Sequence, residues 1–181
     1  MSNIVTIYSS KYGYTKKYAQ WISEALSCDL FEKKSFKAKN LSQYKTIIYG
    51  GGLYAGGVSG ISLLINNFEN IKDKNIILFT CGLADPLDKD NSEHILNSLY
   101  KVLTPQMRDV IKIFSFRGGI DYSKLGFIHK AMMAMLHRVI SKKDYSSLRS
   151  EDRQMLSTYG KQIDFSNKES ITPLIHFINS L

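Results

Sequence analysis

The stretch YSSKYGYTKKYA, residues 8–19, joins two segments of different periodicity. The segment before it, NIVTIYS (3–9), is typical of a buried strand. In the segment after it, residues 15–27, apolar side chains recur at spacings of three and four, which predicts a helix. Two serines, a glycine and a threonine fill the connection. This strand-to-helix turn is the most informative part of the chain.

Strand and helix patterns alternate along the rest of the 181 residues. Strands are predicted at 29–33, 45–52, 74–82 and 109–119, and helices at 60–71, near 91–103 and at 151–164. Such alternation predicts an α/β fold, with a parallel sheet covered by helices on both faces. We expect a domain of residues 1–164 that carries an insertion, residues 120–150, before its last helix. Residues 165–181 are expected to form a C-terminal tail.

In a parallel α/β sheet, ligands bind beyond the carboxyl ends of the strands, which is where this turn lies. Free amides and the helix dipole favour an anion there. Ser9, Ser10 and Thr15 add hydroxyls, and Gly13 lets the backbone fold closely. The turn therefore predicts a phosphate site, although a turn in which Thr15 merely caps the helix is the alternative. No G-x-G-x-x-G or G-x-x-x-x-G-K-[ST] is present, which argues against dinucleotide and nucleoside triphosphate loops.

The turn resembles the first loop of the flavodoxin-like family, approximately [ST]-x-[ST]-x-x-G-x-T after an aromatic strand end. The resemblance implies a three-layer sandwich with a five-stranded parallel sheet in the order 2-1-3-4-5, and FMN as the cofactor. Its phosphate would be held by Ser9, Ser10, Lys11, Tyr12, Gly13, Tyr14 and Thr15, some through backbone amides. Tyr14 stands where the family usually has Asn.

Two further loops match those that flank the flavin ring in this family. GGGLYAGG (50–57) implies ring contacts from Leu53, Tyr54, Ala55 and Gly56. TCGLADP (80–86) implies contacts from Cys81, Gly82, Leu83 and Asp85. The alternative for Tyr54 is an exposed loop aromatic. Cys81 is either a redox thiol or a small buried residue, and free cysteines are usually buried.

A closer resemblance is to the menaquinone-dependent protoporphyrinogen dehydrogenases, which carry a basic insertion before the last helix. It rests on the phosphate turn and on GGIDYSKLGFIHKAMMAMLHRVI (118–140). It implies an FMN-dependent oxidoreductase that passes electrons from a porphyrinogen or another reductant to a quinone. The flavin carries that chemistry, so no acid–base residue is nominated. An electron carrier that docks protein partners and a degenerate, non-enzymatic interaction module are the alternatives.

Charge and helical pattern single out the insertion as a surface for a partner. Residues 101–161 hold twelve Lys and Arg against five Asp and Glu, a net charge of +7 within the +8 of the whole chain. Written as a helix, 124–140 aligns an apolar stripe of Leu125, Ile128, Met132, Met135, Leu136 and Val139. Basic residues beside a methionine-rich stripe favour an anionic membrane surface over nucleic acid. A solvated basic face, or a helix packed on its own domain or on a second copy, is the alternative.

Compartment and metal binding follow from simpler observations. No apolar run approaches the roughly 20 residues of a membrane span, and a strand pattern starts within three residues of the N-terminus. Together with two unpaired cysteines, this favours a cytoplasmic protein, peripheral at the inner face of the membrane. His129 and His137 lie two helical turns apart, too far to share a metal, so no metal site is expected.

Overall fold

The computed structural model describes residues 2–54 and 56–181. Its strands are β1 (Ile4–Ser9), β2 (Asp29–Glu32), β3 (Thr46–Tyr54), β4 (Gly57–Val58), β5 (Asn75–Gly82), β6 (Ile111–Arg117), β7 (Gly119–Asp121) and β8 (Gln162–Asp164). Its α-helices are α1 (Tyr14–Leu26), α2 (Ser62–Ile65), α3 (Phe68–Ile71), α4 (Lys89–Tyr100), α5 (Pro105–Val110), α6 (Phe127–Ile140), α7 (Ser150–Thr158) and α8 (Thr172–Asn179).

The main sheet is parallel and has the order β2-β1-β3-β5-β6, with the two-residue β4 paired antiparallel to β3. Apart from β4, this is the predicted order 2-1-3-4-5, so the α/β flavodoxin-like fold is confirmed. Ser9 lies opposite Gly51, and Gly52 lies opposite Cys81. The ends of β1, β3 and β5 therefore meet at one edge, where the strand order changes direction. This is where an α/β sheet binds ligands.

Helices cover both faces of the sheet. Ile47 and Tyr49 of β3 point into one apolar core, which α2, α3, α4 and α5 cover. Ile48 points into the opposite core, which α1 and α8 cover. Because side chains alternate across a strand, a strand that is buried on both faces is apolar throughout, as β3 is.

The ends of α1 are set by two residues with left-handed backbone. Gly13, at φ 96°, precedes the helix, and Ser27, at φ 48°, follows it. Beyond Ser27 the amide of Cys28 donates to the carbonyl of Ser23 (3.1 Å), which satisfies an otherwise free carbonyl of the last turn. These ends agree with the predicted helix to within one residue.

Other predicted elements shift in detail. The helix predicted at 60–71 is two single turns, α2 and α3, where the side-chain amide of Asn67 donates to the carbonyl of Leu63 (2.8 Å). The strand predicted from 109 starts at Ile111, because Pro105 and the Thr104 hydroxyl, which accepts from the Met107 amide, begin a short helix first.

The insertion is longer than predicted. The helix expected over 151–164 ends at Thr158, and β8 then pairs antiparallel with β7. The segment between these two strands contains α6 and α7 and has a small apolar core of its own, centred on Ile140, Leu148 and Met155. The Nζ of Lys17 and the Oδ2 of Asp164, 2.9 Å apart, tie the end of β8 to α1.

Residues 165–181, expected to be a tail, are part of the core. They form α8, whose Leu174 and Ile178 are buried beside Tyr18 and Ile22 of α1. Pro173 lies in the first turn of α8, where its missing N–H costs no hydrogen bond. The boundary at residue 164 stays a prediction, while α8 packs in the same core as α1.

Candidate functional site

The turn after β1 is shaped by Ser10 and Gly13. The Ser10 hydroxyl accepts a hydrogen bond from the Gly13 amide (3.1 Å). Gly13 is left-handed, and a Cβ built there would meet no atom within 4 Å, so the space above the turn is open. The side of the turn that faces solvent can thus receive a ligand.

The free N–H groups and the positive dipole end at the start of α1 are not compensated by a side chain of the described residues. The first turn contains no acidic residue, and no side chain of residues 2–54 or 56–181 caps it. The first N–H groups of a helix and its dipole attract anions, and here nothing within the described chain neutralises them. Hydroxyls, free amides and an uncompensated helix start together suit a phosphate.

A cavity of about 160 Å³ adjoins this turn at the carboxyl edge of the sheet. Its lining residues come from the turn, from the two predicted ring loops and from the insertion. They are Tyr12, Tyr14, Thr15, Leu53, Tyr54, Cys81, Gly82, Leu83, Gly118, Gly119, Ile120, Leu125, His129, Met132 and Met133. The lining is largely apolar and aromatic.

Three aromatic side chains from different parts of the sequence meet at this cavity. The rings of Tyr54 and His129 stack with 5.7 Å between centroids and 30° between planes. Tyr12 approaches both edge-on, and its hydroxyl lies 2.6 Å from the Nδ1 of His129. Helix α6 of the insertion is thereby joined to both the phosphate turn and the end of β3.

The flavodoxin domain family model matches residues 5–157, most of the chain. The chain belongs to the flavodoxin domain family. This confirms the family that the sequence predicted, and it supports FMN as the cofactor. No curated protein sequence matches the chain significantly.

Several solved structures share the fold of this flavodoxin domain. A flavoprotein from Lactobacillus acidophilus NCFM in complex with FMN is 14% identical, with 65% of this chain and 93% of that chain covered (TM-score 0.44). Oxidised Flavodoxin 2 from Bacillus cereus is 22% identical, with coverages of 62% and 83% (TM-score 0.41). The Flv1 flavodiiron core from Synechocystis sp. PCC6803 is 16% identical, with coverages of 64% and 30% (TM-score 0.44). The flavodoxin domain thus spans about a third of that flavodiiron chain.

The predicted phosphate residues all lie on the turn of the flavodoxin domain. Tyr12, Tyr14 and Thr15 line the cavity. The hydroxyl of Ser9 lies 2.8 Å from that of Ser59, and the Nζ of Lys11 lies 3.5 Å from the Nε2 of His129. Their contacts with a phosphate stay predictions.

The predicted ring loops also reach the cavity, and five of their eight predicted residues line it. Leu53, Tyr54, Cys81, Gly82 and Leu83 line it. Gly56 has a left-handed backbone beside it, and Ala55 lies outside the described residues. Asp85 is not in the lining, because its Oδ2 accepts from the Nη1 of Arg117 (2.9 Å) and its Oδ1 from the Leu87 amide.

Cys81 is a small buried residue of the cavity wall. Its thiol is 5% exposed, and burial raises its pKa to about 12, against a weaker opposite effect of the Thr15 hydroxyl. Because the thiolate is the reactive form, this thiol is unreactive near neutral pH. Of the two interpretations of Cys81, the structure favours the packing role.

The absence of a side chain at Gly52 makes room for the ring of Tyr54. A Cβ built on Gly52 would lie 2.7 Å from the ring of Tyr54, so the tyrosine folds back over its own strand. Only glycine allows this approach. The glycine run was expected to let a ligand ring approach the backbone, and at this position the ring belongs to Tyr54.

Sequence reasoning missed the part of the lining that follows β6. These residues are Gly118, Gly119, Ile120, Leu125, His129, Met132 and Met133. The insertion was recognised as a partner surface, but its contact with the cavity depends on the pairing of β7 with β8. No group of three metal-binding side chains occurs within the described residues.

Proposed function

We propose that this flavodoxin domain is an FMN oxidoreductase that passes electrons from a reduced organic substrate to a quinone. The observation that carries the proposal is the shared lining of one cavity by Thr15 of the phosphate turn, Tyr54 of a ring loop and Met132 of the insertion. A cofactor held by the turn and the ring loops would face apolar side chains of α6. A flat apolar substrate then has a binding surface on the methionines of α6, beside the cofactor.

The residues present fit FMN at its phosphate end and in the chemistry of its ring site. The hydroxyls of Ser10 and Thr15 and the free amides of the first turn of α1 would hold the phosphate. Leu53, Gly82 and Leu83 would bracket the ring, and methionines of α6 would exclude water. FMN, when bound, supplies the hydride and electron chemistry, and the protein supplies position.

The first test is FMN titration followed by flavin fluorescence. We expect the wild type to bind FMN and the double variant Ser10→Ala, Thr15→Ala to bind it at least about a hundredfold more weakly. Two hydrogen bonds to a charged group are lost, each worth roughly 1.5–3 kcal/mol. The control variant, Ser42→Ala with Ser157→Ala, removes two exposed hydroxyls that bond only local carbonyls. If excess FMN leaves the fluorescence of the wild-type mixture unchanged, the proposal fails.

The second test identifies the reaction. Oxidation of protoporphyrinogen that requires added menaquinone would support the dehydrogenase that the insertion resembles. Reduction of bound FMN only through a partner reductase would favour the electron carrier instead. A chain that binds no flavin would be an interaction module.

We propose further that the outer face of α6 binds an anionic bilayer, at the inner face of the membrane. Phe127, Ile128 and Met135 on this face are 86%, 78% and 70% exposed. Within the predicted stripe, the alternative of packing on the protein itself holds only for Leu125, which is buried. No helix in the described chain is long and apolar enough to cross a membrane.

Charge supports the same partner. The basic residues Lys130, Arg138, Lys142 and Lys143 follow this face, and within the described residues none has an acidic partner within 4 Å. Basic residues near an anionic bilayer each contribute about 1 kcal/mol, so four contribute roughly a thousandfold in affinity. Exposed apolar side chains beside them can enter the headgroup region.

Sedimentation with phosphatidylserine vesicles at low salt tests this partner. Changing Lys130, Arg138, Lys142 and Lys143 to Gln should abolish most of the binding. The same change at Lys37, Lys39, Lys45 and Lys101, which are exposed elsewhere, alters the net charge equally and should affect binding much less. Equal loss in both variants would indicate attraction by net charge alone and would contradict a specific surface on α6.

A further inference from the structure

Helix α6 presents one ring to the cavity. His129, Met132 and Met133 lie on the same side of the helix at spacings of three and four, and all three line the cavity. Of these, His129 faces Tyr54, which lies at the end of β3 on the opposite wall. The insertion therefore places a flat side chain directly against a flat side chain of the core.

The spacing of these two rings suits an intercalated planar ligand. Their centroids are 5.7 Å apart and their planes differ by 30°. A planar ring between them needs about 7 Å, since non-bonded carbons prefer roughly 3.5 Å on each side. Because the distance between centroids includes the lateral offset of the rings, the walls would have to separate by at least about 1 Å to admit a ligand ring.

The loop that follows β5 offers no alternative wall of this kind. Its cavity residues, Cys81, Gly82 and Leu83, have no aromatic ring. Tyr14 lines the cavity too, but its hydroxyl donates to the carbonyl of Ile163 (3.4 Å). Tyr12 meets Tyr54 edge-on, at 72°. Within the described lining, His129 is the ring that stacks on Tyr54.

We propose that Tyr54 and His129 form the two walls of the flavin ring site, so that the insertion contributes a cofactor-binding residue. This inference rests on the proposed binding of FMN. Aromatic stacking adds a modest, geometry-dependent affinity beyond the burial of area. When α6 packs on the core, His129 then also completes the second wall of the ring site.

Neighbouring groups fix the orientation of the imidazole. The Nζ of Lys11 lies 3.5 Å from the Nε2 of His129, and an ammonium group can only donate, so Nε2 accepts. Nδ1 then carries the hydrogen and donates it to the hydroxyl oxygen of Tyr12 at 2.6 Å. In this arrangement the face of the imidazole is turned toward Tyr54.

The test compares FMN affinity and the emission of bound flavin in four variants of the full chain. His129→Ala should raise the Kd for FMN roughly three- to tenfold and increase the emission of bound flavin, because a stacking wall is lost. His129→Phe restores a ring and should recover both properties. His129→Asn retains a partner for Tyr12 without a ring and should recover neither.

His137→Ala is the matched control. His137 lies two turns further along α6 and stacks on Tyr159 instead, with 4.0 Å between centroids. This variant should bind FMN like the wild type, and circular dichroism should show that all four variants are folded. Wild-type affinity and emission in His129→Ala, or rescue by Asn but not by Phe, would overturn this inference alone. Absence of FMN binding in the wild type would refute the proposed function, and this inference with it.

Discussion

Tyr122, at the start of the insertion, buries a hydroxyl that has no hydrogen-bond partner among the described residues. Its ring packs edge-on against Tyr159, with 5.1 Å between centroids. Burial raises the pKa of this phenol from 10.0 to about 12, with a smaller contribution from Tyr159. An unpaired buried hydroxyl lowers stability, because the desolvation is not offset by a hydrogen bond.

We therefore expect Tyr122→Phe to raise the free energy of unfolding by up to about 1 kcal/mol at pH 8. In the wild type, the unfolded phenol loses its proton near pH 10 and the folded one near pH 12. The free energy of unfolding of the wild type is therefore unaffected by this titration below pH 10, and it decreases as the pH rises from 10 toward 12, because unfolding then releases a proton. The variant lacks this loss.

Urea unfolding at pH 8 and at pH 11 measures both effects. Tyr49→Phe is the comparison, since the Tyr49 hydroxyl donates to the carbonyl of Ser59 (2.9 Å). That variant should be destabilised by roughly 1 kcal/mol at pH 8. A destabilised Tyr122→Phe would contradict the unpaired state of its hydroxyl.

Single residues were predictable where chemistry is local. The turn of Ser10, Gly13 and Thr15 could be predicted as a phosphate site because its hydroxyls and glycine lie close together in sequence. Asp85 is the counter-example: its loop reaches the cavity, but its carboxylate pairs with Arg117, at the end of the neighbouring strand β6. A partner 32 residues away leaves no local signal.

At the scale of elements, α8 shows why the packing of a short apolar segment is difficult to predict from its sequence. Eight residues with a proline at the second position gave too little periodicity to identify a packed helix. Yet Leu174 is fully buried, in the same core as α1. Tertiary packing, which the sequence pattern does not contain, decides the role of this segment.

Leu174→Ala should lower the free energy of unfolding by about 2–5 kcal/mol, because it leaves a cavity in a closed core. Leu181→Ala, two residues beyond α8 and 52% exposed, should change it by less than about 0.5 kcal/mol. Denaturant unfolding of the two leucine variants measures the difference. Equal, small effects would support the original division of the chain at residue 164.

Helix α6 illustrates a different limit. Its apolar stripe was predicted to be a partner surface, with packing on the chain itself as the alternative, and periodicity alone does not distinguish the two. In the structure, Met133 and Ile140 pack on the insertion core, while Ile128 and Val139 remain exposed. Which side packs depends on α7, which the helix predicted over 151–164 includes, and on the β7–β8 pair, which was not predicted.

Across the whole molecule, the sheet was predictable and the lining of its cavity was only partly so. Strand order follows from alternating elements and a recognisable first loop, and each of these is local. The second half of the cavity depends on Asp121 pairing with Gln162, a contact between residues 41 positions apart. Contacts of that range are set by the collapsed chain and not by its periodicity.

The pairing of β7 with β8 has a consequence for engineering of the chain. Antiparallel neighbours bring Asp121 and Gln162 side by side, so the forty residues between them leave the main body and return to it at one point. Within the described residues, neither of the two large cores contains a residue of this segment. The segment can therefore be shortened or replaced while the parallel sheet keeps its strand order, and a replacement begins and ends beside the cavity.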